Sequence, residues 1–227
     1  MIISRTPFRV SLFGGGSDYP KWYLENGGAV IGTAINKYCY ITVRDLPPFF
    51  EHKHRIVYSK VELPNQINEI EHPSVKAVLS ELDVREGIEI QHQADLPARS
   101  GLGSSSSFTV GLLNAIRAKQ GKISSPEFLG HEAVRIEQNV IKEDVGSQDQ
   151  LWAAFGGTNF IEFKQDGEFS VTPLIMKNQT VESLDSHMML FFTGLTRFST
   201  DIAVEKINNI SNRQTQIELD RKSTRLN

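Results

Sequence analysis

Apolar and polar positions alternate from Phe8 to Phe13, with Phe8, Val10 and Leu12 on one side and Arg9, Ser11 and Phe13 on the other. That period of two marks a strand, and Gly14-Gly15-Gly16 must turn the chain at its end. Ala29–Ile35 and Tyr38–Arg44 read as two further strands, and Pro47-Pro48 through His54 as a loop. Arg55–Ser59 is a short strand. From Ser74 to Leu82 the period changes: Val75, Val78, Leu79 and Leu82 recur as one face of a helix. Alternation returns over Ile88–Ala94. A helix then runs over about 104–119, with Phe108, Leu112, Ala115 and Ile116 as its stripe, and a second over about 126–143. The second opens with Ser125 before Pro126 and carries Leu129, Ala133, Ile136 and Val140. After a loop around Gly146 and a short helix come strands over Thr158–Phe163, Phe169–Pro173 and His187–Phe192, then a polar helical segment at about 199–219. Strands, then helices, then strands predict an α+β fold rather than repeated βαβ units.

The stretch Leu96-Pro97-Ala98-Arg99-Ser100-Gly101-Leu102-Gly103-Ser104-Ser105-Ser106-Ser107 joins the Ile88–Ala94 strand to the first long helix. Small residues let backbone N–H groups approach an oxyanion, and the helix N-terminus adds partial positive charge. The pattern predicts an anion site. It is not a Walker loop, because no Gly-Lys-Ser/Thr closes it. The competing reading, a turn with a serine N-cap, is weakened by four consecutive serines leading into a helix.

Composition adds boundaries. With 227 residues, 39% hydrophobic and 22% charged, the chain can bury a sizeable core. A net charge of −3 with no basic stripe argues against a nucleic-acid or anionic-membrane partner. No apolar run approaches the ~20 residues of a membrane span. The start, Met1-Ile2-Ile3-Ser4-Arg5, lacks a signal-peptide pattern, and the single Cys39 lies in an apolar stretch. These point to a reducing, cytoplasmic setting. Glu51-His52-Lys53-His54 lacks the spacing of a metal site and reads as a solvated loop. Trp22 and Tyr23 read as core residues as readily as a sugar-stacking pair.

Three segments belong together: Pro7-Phe8-Arg9-Val10-Ser11-Leu12-Phe13-Gly14-Gly15-Gly16-Ser17-Asp18-Tyr19, the Gly/Ser loop, and Glu137 followed by Asp149 within Gly146-Ser147-Gln148-Asp149-Gln150. Their set, order and separation resemble the GHMP small-molecule kinases, which include galactokinase, homoserine kinase, mevalonate kinase and phosphomevalonate kinase. Pro7–Tyr19 matches the family's first motif and Pro97–Ser105 its second, and the resemblance covers about residues 5–205. Gly15-Gly16 stands where galactokinase has Glu-His, which argues against galactose. Gly14–Tyr19 and Phe192-Thr193-Gly194-Leu195-Thr196-Arg197 are similar to the D-glycero-D-manno-heptose 7-phosphate kinases, with fucokinase-type enzymes beside them.

The resemblance implies ATP and Mg²⁺. Pro97, Ser100, Gly101, Leu102, Gly103, Ser104, Ser105 and Ser106 would surround the ATP phosphates. The Ser105 hydroxyl (or, second, that of Ser104) and Glu137 would ligate Mg²⁺, a hard cation that prefers oxygen. Asp149 would be the catalytic base, although the same residue suits the N-cap of Leu151–Phe155. Arg9 would stabilise the transferring phosphoryl group or the base. Asp18, with Ser17 beside it, would bind sugar hydroxyls, and Arg197 and Lys21 a phosphate already on the substrate.

For the fold, the resemblance implies a ribosomal protein S5 domain 2-like N-terminal domain with a left-handed βαβ crossover, over residues 1–180. A ferredoxin-like C-terminal domain would begin at 181–227. Nothing after Thr193 supplies the family's third glycine-rich motif, and Ser211–Asn227 reads as a chain cut short or a poorly ordered terminus. The implied reaction is a sugar 1-kinase converting D-glycero-D-manno-heptose 7-phosphate to the 1,7-bisphosphate for activated heptose synthesis, by a monomer or homodimer. Rivals are a kinase for another sugar, such as fucose, a non-catalytic sugar- or nucleotide-binding relative and, against the acidic balance, an S5-like nucleic-acid binder.

Overall fold

The structure, a computed structural model, describes residues 1–98, 100–191 and 217–219. It is a mixed α/β fold around one seven-stranded sheet. The strands are β1 (Ile2–Phe13), β2 (Gly28–Asp45), β3 (Arg55–Val57), β4 (Val61–Glu62), β5 (Ile88–Ala94), β6 (Thr158–Phe163) and β7 (Phe169–Pro173). The helices are α1 (Pro20–Asn26), α2 (Pro73–Glu81), α3 (Ser104–Lys119), α4 (Pro126–Arg135), α5 (Gln148–Phe155) and α6 (Asn178–Ser186). The sheet order is β4-β3-β5-β2-β6-β7, with β1 paired to β2. Pairings are antiparallel except β3 with β5, which α2 connects in parallel.

The two strands expected over Ala29–Ile35 and Tyr38–Arg44 form one strand of 18 residues. The polar pair Asn36-Lys37 that divides them in sequence is where the β1–β2 register jumps. Pro7 pairs with Tyr38 but Arg9 with Ala34, so β2 carries extra residues against Phe8. Such a bulge re-aims side chains without ending the sheet. Here Phe8 is fully buried while Arg9 reaches the site described below. The helix expected over about 126–143 is α4 followed by a π-turn at Ile136–Val140. A regular helix turns successive residues by about 100°, so it buries one face. Within this turn both Ile136 and Glu137 are buried.

One large cluster fills the space between the sheet and α2, α3 and α4, built on Phe8, Ile41, Val43, Ile88, Ile90, Phe108, Leu112, Leu113 and Ile116. A second, of Tyr23, Val30, Leu151, Trp152, Ile161 and Phe163, seats α5 on β2 and β6. Trp22 and Tyr23 are therefore core residues of α1, a helix that the sequence reading left unassigned. The strand expected at His187–Phe192 is corrected: α6 ends at Ser186, and residues 187–191 form no strand. The run is apolar, but nothing among the described residues pairs with it. Arg197 and almost all of the expected 199–219 helix lie outside the described residues. No described helix is long and apolar enough to cross a membrane.

Candidate active site

The Gly/Ser loop delivers the chain to α3 through two glycines with positive φ, Gly101 at 78° and Gly103 at 77°, a conformation that other residues adopt only with strain. Gly103 is the N-cap, and no side chain caps the helix. No serine hydroxyl caps the first turn, an arrangement compatible with an anion site at the helix N-terminus. The serines divide by their place on the helix. Ser105 is exposed, Ser104 partly buried, and Ser106 and Ser107 are buried. Ser107 Oγ donates to the Pro7 carbonyl at 2.8 Å and Ser106 Oγ to Glu137 Oε2 at 2.9 Å. The hydroxyl beside Glu137 is therefore that of Ser106 rather than Ser105, because Ser106 is the one turned toward the π-turn. Pro97 and Gly101 are exposed; Ser100 and Leu102 are partly buried.

Arg9 joins this loop to α5. Its Nε and Nη2 donate to Asp149 Oδ1 and Oδ2, both at 2.6 Å. Its Nη1 donates to the Gly101 carbonyl at 2.9 Å, and its backbone N–H to that of Leu102 at 3.1 Å. The fork geometry of a guanidinium suits this bidentate pairing. A β-carbon on Gly103 would sit 3.3 Å from Arg9 Cγ and 3.5 Å from Asp149 Oδ2, so the loop packs directly on the ion pair. Asp149 is not the helix N-cap. That position belongs to Ser147, and Asp149 lies in the first turn of α5, where the helix dipole favours a carboxylate.

Glu137 is 1% exposed and Gln150 is fully buried. Gln150 Nε2 donates to Glu137 Oε2 at 2.5 Å, whereas Glu137 Oε1 has no hydrogen-bond partner among the described residues. Burial pushes the Glu137 carboxyl up to about 7, only partly offset by the donors around it. An ionised carboxylate this deep calls for a cation beside it. A buried carboxylate oxygen without a partner, next to a serine hydroxyl, fits Mg²⁺, whose remaining ligands would come from water and phosphate oxygens. No group of three or more His, Cys, Asp or Glu side chains suited to a metal occurs among the described residues, so a protein-only cage is not what this site offers.

The glycine turn after β1 forms the third wall. Ser17 Oγ lies 2.8 Å from the Gly14 carbonyl, 2.9 Å from that of Ala29 and 3.0 Å from the Ala29 amide. It is fully buried. Ser17 thus fastens the turn rather than facing a substrate, which differs from the role expected of it. Asp18, 1% exposed, accepts from the Gly16 amide at 2.9 Å through Oδ1, and its carbonyl accepts from the Ser147 amide at 2.9 Å. Tyr19 lies close enough to Asp18, Asp149 and Arg9 to sense their charges, and burial, with both carboxylates, raises its phenol. Lys21 is exposed on α1.

Arg9, Asp18, Tyr19, Gly101–Ser106, Glu137 and Asp149 thus meet from five separate stretches of chain. Sequence reasoning set Ser106 among the residues around the ATP phosphates rather than beside Glu137, and gave Gln150, Tyr19 and Gly146 no role of their own. Gln150 had a signal, as a polar residue immediately before the apolar run Leu151-Trp152-Ala153 of α5. Gly146, packed against Asp18, had none beyond being a glycine.

Residues 69–157 match the sequence family described as GHMP kinases N terminal domain. The chain is 28% identical over 224 residues to a D-glycero-alpha-D-manno-heptose 7-phosphate kinase of Campylobacter jejuni, covering 90% of this chain and 63% of that protein. It is 24% identical over 216 residues to a bifunctional fucokinase/GDP-fucose pyrophosphorylase of Arabidopsis thaliana, covering 86% of this chain and 20% of that one. The crystal structure of a D-glycero-D-manno-heptose 1-phosphate kinase from Bacteroides thetaiotaomicron superposes with a TM-score of 0.78 at 28% identity, over 99% of this chain and 74% of that one. The chain thus spans less than two thirds of the length of the curated relatives it matches.

Proposed function

Because residues 69–157 match the N-terminal domain of the GHMP kinases, we propose that the chain transfers the γ-phosphoryl group of ATP to a hydroxyl of a sugar phosphate. The acceptor of first choice is D-glycero-D-manno-heptose 7-phosphate, and the product its 1,7-bisphosphate. The observation that carries this reading is the Arg9–Asp149–Gly101 linkage, which sets a carboxylate against the uncapped amides of α3. Those amides, from Gly101 to Ser106, would hold the ATP phosphates. Asp18 would accept hydrogen bonds from the sugar. Asp149 orients the acceptor hydroxyl and takes its proton as the oxygen bonds to the γ-phosphorus, while the bond from that phosphorus to the bridging oxygen breaks and ADP leaves. Arg9 holds the Asp149 carboxylate in place through two hydrogen bonds and offers positive charge to the transferring group.

A magnesium ion would be held by Glu137 and a serine hydroxyl, Ser105 on the exposed side of α3 or Ser106 beside Glu137. Bound there it would neutralise phosphate charge. The likeness to the heptose kinase of known structure supports an S5-like domain over 1–180, whereas most of 181–227, expected to open a ferredoxin-like domain, lies outside the described residues. Fucose is the second acceptor to consider, on the resemblance to the Arabidopsis protein.

The test is ADP release by the purified chain with Mg-ATP across heptose 7-phosphate, fucose, mannose, galactose and mevalonate. Turnover is expected with the heptose phosphate ahead of the others. Asp149→Asn is expected to lower kcat by about 10²-fold or more with nucleotide affinity unchanged. A wild-type chain that binds Mg-ATP but turns over none of the panel would overturn the proposal, and near-normal turnover in Asp149→Asn would remove that residue from the mechanism.

A further inference from the structure

Two buried polar side chains face each other where the apolar core meets the site. Glu137 comes from the π-turn and Gln150 from α5, and neither is more than 1% exposed. An amide is costly to bury unless it is bonded, yet Gln150 stands directly before the core residues Leu151 and Trp152. Its Nε2 and the Ser106 hydroxyl converge on the same oxygen of Glu137, at 2.5 and 2.9 Å. The other oxygen, Oε1, meets no hydrogen-bond geometry among the described residues, and neither does the Oε1 of Gln150, although the Thr109 hydroxyl also lies near enough to favour the Glu137 carboxylate. A carboxylate buried for packing alone would have both oxygens satisfied. Two donors on one oxygen leave the second oriented and available.

We propose that Gln150 is a positioning residue: with Ser106 it fixes Glu137 Oε2 so that Oε1 is presented to a divalent cation, and it ties that cation to the helix turn that carries Asp149. The inference rests on the kinase reading above. Asp149 and Gln150 are consecutive in α5, and their side chains leave it in different directions, one to Arg9 and one to Glu137. The cation carboxylate and the catalytic carboxylate are thus referenced to a single turn of helix. Ser106 extends the same frame to α3, whose N-terminus holds the glycine loop.

The test uses the full chain with Mn²⁺ as the probe, free Mn²⁺ being followed by electron paramagnetic resonance in the presence of AMP-PNP. Gln150→Met keeps an unbranched side chain of similar length and removes the donor. It is expected to weaken Mn²⁺ binding by about tenfold, the usual scale for losing an outer partner of a metal ligand. AMP-PNP affinity in EDTA is expected to stay the same. In a Glu137→Gln background the same substitution should weaken Mn²⁺ no further, because Gln150 acts through Glu137. Unchanged Mn²⁺ affinity with only a lowered melting temperature would make Gln150 a core filler and overturn the inference alone, as would additive losses in the double variant. A wild-type chain that binds AMP-PNP but not Mn²⁺ would overturn both this inference and the magnesium assignment beneath it. If Gln150→Met does not fold, Gln150→Leu removes the same donor at similar volume, and the same outcomes decide.

Discussion

If Asp18 holds the acceptor as proposed, a methyl group at Gly146 disables that side of the site while leaving the proposed nucleotide side intact. A β-carbon built there lies 1.9 Å from Asp18 Oδ2, 2.8 Å from its Cγ and 3.4 Å from Oδ1. Since carbon and oxygen sit about 3.5 Å apart at rest, the carboxylate must retreat by roughly 1.5 Å. It has nowhere to go in place: Asp18 is 1% exposed, its Oδ1 is held by the Gly16 amide at 2.9 Å, and its carbonyl by that of Ser147. Retreat breaks the Gly16 bond, worth about 1.5–3 kcal/mol for a charged acceptor, and overpacking adds about 1–3 kcal/mol. Misplacement of about 1 Å at a reacting geometry can cost 10²-fold in rate. Gly146→Ala is therefore expected to lower kcat/KM for the sugar phosphate by about 10²-fold. Arg9, Asp149 and the Gly101–Ser106 amides are untouched, so the affinity for ATP should hold. The assay is initial-rate ADP release against sugar concentration, with nucleotide binding measured separately. A folded Gly146→Ala protein with normal KM and kcat for the sugar would show that Asp18 does not hold the acceptor.

Gly32→Ala tests the seat of α5 instead. Its β-carbon would fall 2.5 Å from Trp152 Cζ2 and 2.6 Å from the Val10 carbonyl. A loss of about 1–3 kcal/mol is expected, read as a lower melting temperature in thermal unfolding; an unchanged one would mean that α5 is not fixed by this contact. The third prediction concerns pH. Glu137 holds its proton to about 7 in the folded chain but only to 4.5 in its ordinary state. Between those values the folded chain binds more protons than the unfolded one, so stability falls as pH rises. Burial lowers His54, His72 and His92, which act in the opposite sense. The difference in melting temperature between wild type and Glu137→Gln, measured in EDTA, isolates the carboxylate. It should shift against the wild type as pH rises from about 4.5 to 7, and a flat difference would refute the assignment.

The sequence showed the fold wherever period and punctuation agree. Ile88–Ala94, the 104–119 helix, Thr158–Phe163 and Phe169–Pro173 have the same bounds in the structure, because each is framed by turn residues and keeps one period throughout. It failed where a local signal answered to a distant partner. Asn36-Lys37 interrupts an apolar run, and only the pairing with β1 turns that interruption into a bulge rather than a strand end. Leu129, Ala133, Ile136 and Val140 fit a helical stripe, but no stripe announces a π-turn that buries Glu137 beside Ile136. His187–Phe192 has strand composition without a described neighbour to pair with. The same division runs through the site. Arg9, Asp18, Glu137 and Asp149 were candidates because each stands in a segment that resembles a known motif. The serine set beside Glu137 was expected to be Ser105, with Ser104 second, and is Ser106, since Ser104 to Ser107 differ only in their angle about α3, and that angle matters only once α4 and α5 are in place. A motif therefore names the chemistry, while the choice among equivalent side chains falls to the packing. For this chain that packing sets Ser106 and Gln150 on one oxygen of Glu137, and it is there, rather than in the glycine loop, that substitutions would separate a phosphate-binding fold from a working kinase.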